Sequence, residues 1–158
     1  MKKLALLFAG LSLFVATGCN NDDDAAPEVP LTGVWQPIKE VQTVVPVGGT
    51  PVSDEITYTT CEKDSRWRFN TETSGKVTWW QDSALNPGTC EIAEDRNFTY
   101  TYDKGTKAIQ IKYQGIVEPD KGKITRLDDT TLNLTIEDTT DPTEYQSVTY
   151  TMKRVVQQ

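Results

Sequence analysis

Two-residue alternation governs this chain from Leu31 almost to its end. Trp67 and Phe69 share one face of a strand, as do Phe98, Tyr100 and Tyr102, then Ile109, Ile111 and Tyr113. Leu132, Leu134 and Ile136 follow the same rule, and so do Val148, Tyr150 and Met152. Successive side chains of a strand point to opposite sides, so each segment has one apolar and one polar face. Strands of that kind pair antiparallel over a single core. Almost nothing here carries the helical period. Thr, Val, Ile, Tyr and Trp, the residues suited to a pleated surface, dominate instead.

Eight segments are expected as strands: roughly 33–45, 65–70, 75–82, 96–103, 107–113, 122–127, 131–137 and 145–155. The connections after the second, fourth and sixth are short and turn-like, as in Asp103-Lys104-Gly105-Thr106 and Asp128-Asp129-Thr130. Those after the first, third, fifth and seventh are longer: 46–64, 83–95, 114–121 and 138–144. In an up-and-down meander the chain reverses at each step, so the long loops gather at one end and the tight turns at the other. An eight-stranded antiparallel up-and-down barrel removes the sheet edges most economically. Its open mouth lies at the long-loop end, and residues 31–158 form this one domain.

The N-terminus has a different character. Lys2 and Lys3 precede a mostly apolar run from Leu4 to Val15, and Ala16-Thr17-Gly18 leads into Cys19. The run falls short of the roughly 18–20 apolar residues that span a bilayer, so it reads as a removable secretion signal over residues 1–18. Small residues ending at a cysteine resemble a bacterial lipoprotein signal, although Ala16 stands where Leu is usual. The resemblance implies acylation of Cys19, with residues 19–30 as a flexible acidic tether. Asn20-Asn21-Asp22-Asp23-Asp24 after that cysteine resembles the surface-export signal of Bacteroidetes lipoproteins. An outer-membrane lipoprotein, exposed at the cell surface, is the expectation.

Charge narrows the partners. The chain carries 16 Lys+Arg against 23 Asp+Glu, and the signal removes two of the lysines. An acidic balance without a basic cluster excludes nucleic acid, whose phosphates demand grouped Lys and Arg. Membrane association is therefore expected through the acyl chains on Cys19 alone. Cys61 and Cys90 remain as an even pair in an exported chain, which reads as one disulfide at the mouth. Two thiols without a histidine make a poor metal site, and neither metal nor cofactor is expected.

Gly33-Val34-Trp35, opening the first strand, resembles the Gly-x-Trp signature of lipocalins. Lys153-Arg154 falls where that fold places a cation over the tryptophan. Cys61-Glu62-Lys63-Asp64 before Trp67-Arg68-Phe69, with Cys90 after the third strand, resembles the lipocalin-like domain of Bacteroidetes lipoproteins. The resemblance covers about residues 31–156 and implies a calycin-type barrel. It makes Gly33, Trp35 and Arg154 a structural signature, with Lys153 as the other candidate cation.

Candidate ligand-binding residues are the aromatics of the inner faces and the mouth: Trp67, Phe69, Trp79, Trp80, Phe98, Tyr100, Tyr102 and Tyr150. Adjacent Trp79 and Trp80 must point to opposite sides, one filling the interior and one on the outer surface. The bland reading of these residues is a packed core with one surface aromatic. Catalysis is not expected, because without histidine the commonest general base and the usual nucleophilic triads are missing. A calcium site from Asp138, Asp141 and Glu144 has irregular spacing. Asp82-Ser83-Ala84, Asp129-Thr130-Thr131 and Asp138-Thr139-Thr140 resemble the O-glycosylation motif of exported Bacteroidetes proteins. The sequence thus points to a monomeric, non-enzymatic lipoprotein binding a small apolar or amphipathic molecule at its mouth. The alternative is an interaction module with a packed interior, gripping a glycan, host protein or protease through its rim loops.

Overall fold

The computed structural model describes residues 29–156; the signal segment 1–18, Cys19 and most of the tether lie outside the described residues. Nine antiparallel strands follow in order: β1 (Gly33–Pro46), β2 (Val52–Thr57), β3 (Arg66–Phe69), β4 (Ser74–Asp82), β5 (Cys90–Tyr102), β6 (Ala108–Tyr113), β7 (Asp120–Leu127), β8 (Thr131–Asp138) and β9 (Glu144–Val155). A single 3-10 turn, Glu62–Asp64, precedes β3. Eight strands form a closed antiparallel barrel, as the alternation implies. Neighbours pair from β3 through β9, and β1 meets β3 on one edge and β9 on the other. The closing seam is long, running from Val34 opposite Val155 to Pro46 opposite Glu144.

The ninth strand departs from expectation. Residues 52–57 lie in what reads as a loop, yet they fold back on the mouth-side half of β1, Lys39 opposite Thr57 and Val44 opposite Val52. β2 and β3 therefore share one edge of β1, and β2 extends the wall beyond the barrel proper. β5 also begins at Cys90 rather than near residue 96, which shortens the loop before it to residues 83–89.

Three register shifts set which side chains point inward. On β1 the shift falls between Pro37 and Lys39, at a proline that has no N–H to donate to the ladder. Trp35 and Pro37 face the core before it; Glu40, opposite the inward Tyr150, faces in after it. A second shift on β5 opposite Trp79 and Trp80 leaves Glu94 across from Trp79. The third, in β7 between Ile124 and Arg126, turns Leu127 inward.

The tight-turn end is closed by chemistry the sequence encodes locally. The Asp103 carboxylate accepts from the N–H groups of Gly105 and Thr106, and Asp128 does the same for Thr130 and Thr131. Trp35 plugs the base, fully buried, its Nε1 donating to the Leu31 carbonyl at 2.9 Å. Of the two candidate cations it is Arg154 that covers it, 4.1 Å from the ring centroid. The same guanidinium donates to the carbonyls of Thr32 (3.0 Å) and Pro30 (2.7 Å). Gly33 sits at φ 136°, and a Cβ there would lie 2.6 Å from Arg154 Nη1. Sterics therefore demand the glycine of the Gly-x-Trp signature.

Candidate functional site at the barrel mouth

Above the plug the interior is filled rather than hollow. Trp67 stands at its centre, 1% exposed, with its ring against Phe69, Trp79, Phe98, Tyr113 and Tyr150 at centroid distances of 5.8 to 6.5 Å. Phe69 and Tyr100 pack edge to face at 5.0 Å, and Tyr100 donates its hydroxyl to the Thr71 carbonyl. Gly75 and Gly122 face inward where a side chain would not fit: a Cβ at Gly75 meets the Phe98 ring, and one at Gly122 meets the Thr135 carbonyl. Of the sequence candidates, Trp67, Phe69, Phe98 and Tyr100 thus form the packed centre. Tyr102 lies lower, beside a base pocket.

The aromatic stack ends in a half-buried floor beneath the mouth, made by Trp79 of β4, Tyr113 of β6 and Tyr150 of β9. Trp79 and Tyr150 are 5.8 Å apart and both rest on Trp67. Trp79 and Trp80 do face opposite ways. Trp80 takes the outer side, and its backbone N–H donates to the buried Ser65 Oγ at 2.9 Å. Tyr58, beyond the end of β2, closes one side of the floor with its ring edge-on to Trp79 at 6.0 Å. Its hydroxyl donates to Glu40 at 2.5 Å. Gln36 and Arg66 both donate to the Lys63 carbonyl, which fixes the segment carrying Tyr58 against the wall. The disulfide joins Cys61 of that segment to Cys90 at the start of β5, with Cα atoms 5.6 Å apart. It staples the rim where the sequence placed it.

Polar groups ring the floor. Glu40 lies opposite Tyr150, Glu94 opposite Trp79, and Asp120 opposite Ile111, so all three share the inward face of their strands. Arg96 pairs with Glu94 at 3.2 Å and lies over the Tyr113 ring at 5.9 Å. Partial burial, then Asp138 and Glu94, pushes the Asp120 carboxyl above its ordinary range. Burial likewise holds the Tyr58 and Tyr113 phenols far above theirs, with Glu40 and Asp120 adding to it; Tyr150 is pushed up to about 12. These tyrosines are neutral donors at any physiological pH.

Sequence reasoning set Tyr113 on the inner face without naming it as a site residue, and it missed Tyr58, Glu40, Glu94, Arg96 and Asp120. For Glu94 and Arg96 the signal was present, since they continue the even-numbered series of Phe98, Tyr100 and Tyr102.

The remaining acid motifs serve the loops. Asp138 binds Thr140, Asp141 binds Thr143, and Glu144 accepts from the Gln146 amide. Among the described residues no group of three or more His, Cys, Asp or Glu is placed to hold a metal ion. Ser83 of the first Asp-Ser/Thr motif is buried and its Oγ accepts from the Asn86 N–H, a poor position for a glycan.

A pocket of about 370 Å³ opens at the tight-turn end between Leu31, Glu72, Tyr102, Lys104, Lys107 and Leu127. It lies at the opposite end from the floor. The long-loop end is distinguished by its aliphatic tips: Val47 and Val52 flank the β1–β2 turn, Leu85 lies between β4 and β5, and Ile116 and Val117 lie between β6 and β7, all exposed.

The sequence profile of the Lipocalin-like domain matches residues 31–134, well over half of the chain, and the chain belongs to that family. No curated protein matches the sequence. Among solved structures the fold is similar to lobster apocrustacyanin A1, with 14% identity and a TM-score of 0.47, over 80% of this chain and 61% of that one. It is also similar to a deswapped triple mutant of bovine odorant binding protein, with 13% identity and a TM-score of 0.41, over 80% and 74% of the two chains. The chain thus spans about three fifths of the length of the crustacyanin subunit.

Proposed function

We propose that this is a lipid-anchored barrel at the outer surface of the cell that binds a small amphipathic molecule at its mouth and catalyses no reaction. The observation that carries the binding reading is the half-buried floor of Trp79, Tyr113 and Tyr150, open toward loops with exposed aliphatic tips. Concave, mainly apolar surface with a few oriented polar groups is what small-molecule sites are built from. Because Trp67, Phe69 and Phe98 fill the space beneath, the ligand sits shallowly on the floor. The anchoring part of the reading is supported by the lipoprotein-like signal ending at Cys19 and by the acidic run after it.

A titration of the disulfide-intact barrel with octyl glucoside below its micelle concentration tests the binding. Saturable change of tryptophan emission, lost in Trp79→Ala, is the expected result. A response that rises linearly without saturation, or one that Trp79→Ala leaves unchanged, contradicts it.

The second reading, an interaction module, is favoured by the aliphatic tips themselves. Val47, Leu85 and Val117 stand on three separate loops at one end of the barrel, a spread that suits a broad partner surface better than a small molecule.

A further inference from the structure

We infer that the mouth selects cationic amphiphiles, aliphatic amines whose charged head meets inward carboxylates while the hydrocarbon lies on the aromatic floor. The inference rests on the reading of the mouth as the binding site and adds the ligand's charge.

The aromatic floor makes the site; the carboxylates only set its sign. Glu40, Glu94 and Asp120 come from three different strands and share the inner face above that floor. Lysines of the same walls are used elsewhere: Lys39 pairs with Glu55 on β2, and Lys76 with Asp95 on the outer face. Arg96 is inward, and its charge is already matched by Glu94. Glu40 accepts from the neutral Tyr58 hydroxyl and the Gln42 amide, and neither partner is a cation. The Asp120 carboxylate has neither an ion pair nor a hydrogen bond among the described residues, although it is partly withdrawn from water. A carboxylate in that position is costly until a cation reaches it.

A separate observation concerns the floor. Tyr113 already receives a cation on its ring, the Arg96 guanidinium. Tyr150 and Trp79 offer comparable faces without a partner of that kind among the described residues, and a ring face attracts an ammonium as it attracts a guanidinium. An anionic head would meet Glu40 and Asp120 as repulsion, the Glu94 charge being already matched by Arg96. A neutral head would gain only the apolar contact.

The experiment compares decylammonium, decanol and decanoate by calorimetric titration of the oxidised protein, at low salt and near physiological ionic strength. Decylammonium is expected to bind about tenfold more tightly than decanol, and decanoate least, with the preference shrinking as salt screens the heads. Asp120→Asn should weaken decylammonium several-fold and leave decanol unchanged, whereas Asp95→Asn on the outer face should alter neither. Equal affinity for all three probes, or a preference for decanoate, overturns the inference while the mouth survives as a site. Binding of none of them removes the site, and the inference with it.

Discussion

Arg154 shows how much a single side chain holds at the base of this barrel. Its guanidinium covers the Trp35 ring and ties down two carbonyls of the entering chain. Arg154→Gln is therefore expected to lower unfolding stability by about 2–3 kcal/mol in a urea titration, less than the full sum of a cation–π contact and two charged hydrogen bonds because one of those bonds is exposed. Lys153→Gln, whose side chain is exposed, should change it by less than about 0.5 kcal/mol. Alternation does separate these neighbours, because Arg154 continues the inward series of Val148, Tyr150 and Met152 while Lys153 falls on the other face. Asp120 gives a second residue-scale prediction, with Glu94, Tyr113, Asp138 and Tyr150 as the titratable groups around it. Its pKa is raised on folding, so the stability it contributes is full below the unfolded carboxylate value near 4 and is lost as pH rises through the folded value. Asp120→Asn should then melt higher than the parent at pH 7, by less than about 1 kcal/mol given its exposure, and match it at pH 3.

At the scale of elements, β2 and the first half of β5 explain what the sequence could not express. Val52-Ser53-Asp54-Glu55-Ile56-Thr57 is exposed apart from Ile56, so no burial pattern announces a strand; its pairing with β1 makes it one. Pro46, Gly48, Gly49 and Pro51 around the turn read as loop for good local reasons. Residues 90–95 of β5 pair with β4 but not with β6, and again carry little burial. The bulge between Pro37 and Lys39 reversed the parity of β1, which hid Glu40 among outward polar residues. The disulfide ties the segment that follows β2 to the start of β5. Its reduction, or the Cys61→Ala/Cys90→Ala pair, is expected to cost about 3.6 kcal/mol or less in denaturant unfolding, from the entropy of a loop of 29 residues. The loosened segment is the one that carries Tyr58, so floor binding should weaken in the same protein.

Over the whole molecule, alternation and loop length were enough to set out a closed barrel with a looped mouth, and the resemblance carried by Gly33-Val34-Trp35 supplied the base. They did not set the depth of each aromatic. Parity assigns a face, and it puts Trp67, Phe69, Trp79, Phe98 and Tyr150 on the same one. Only the closing of the wall decides that Trp67, Phe69 and Phe98 fill the interior while Trp79 and Tyr150 reach the surface of that filling. Glu40 and Asp120 were illegible for a related reason, since polar residues near strand ends look alike whether they face solvent outside the wall or inside it.

The four tryptophans sample the four relevant places: Trp35 in the base, Trp67 beneath the floor, Trp79 in the floor and Trp80 on the outer face. Following their indole N–H signals by NMR during titration with decylammonium reads the location of binding directly. The account predicts large shifts for Trp79, smaller ones for Trp67, and stationary signals for Trp35 and Trp80. Movement of Trp35 with the residues of the base pocket, while Trp79 stays still, would contradict it.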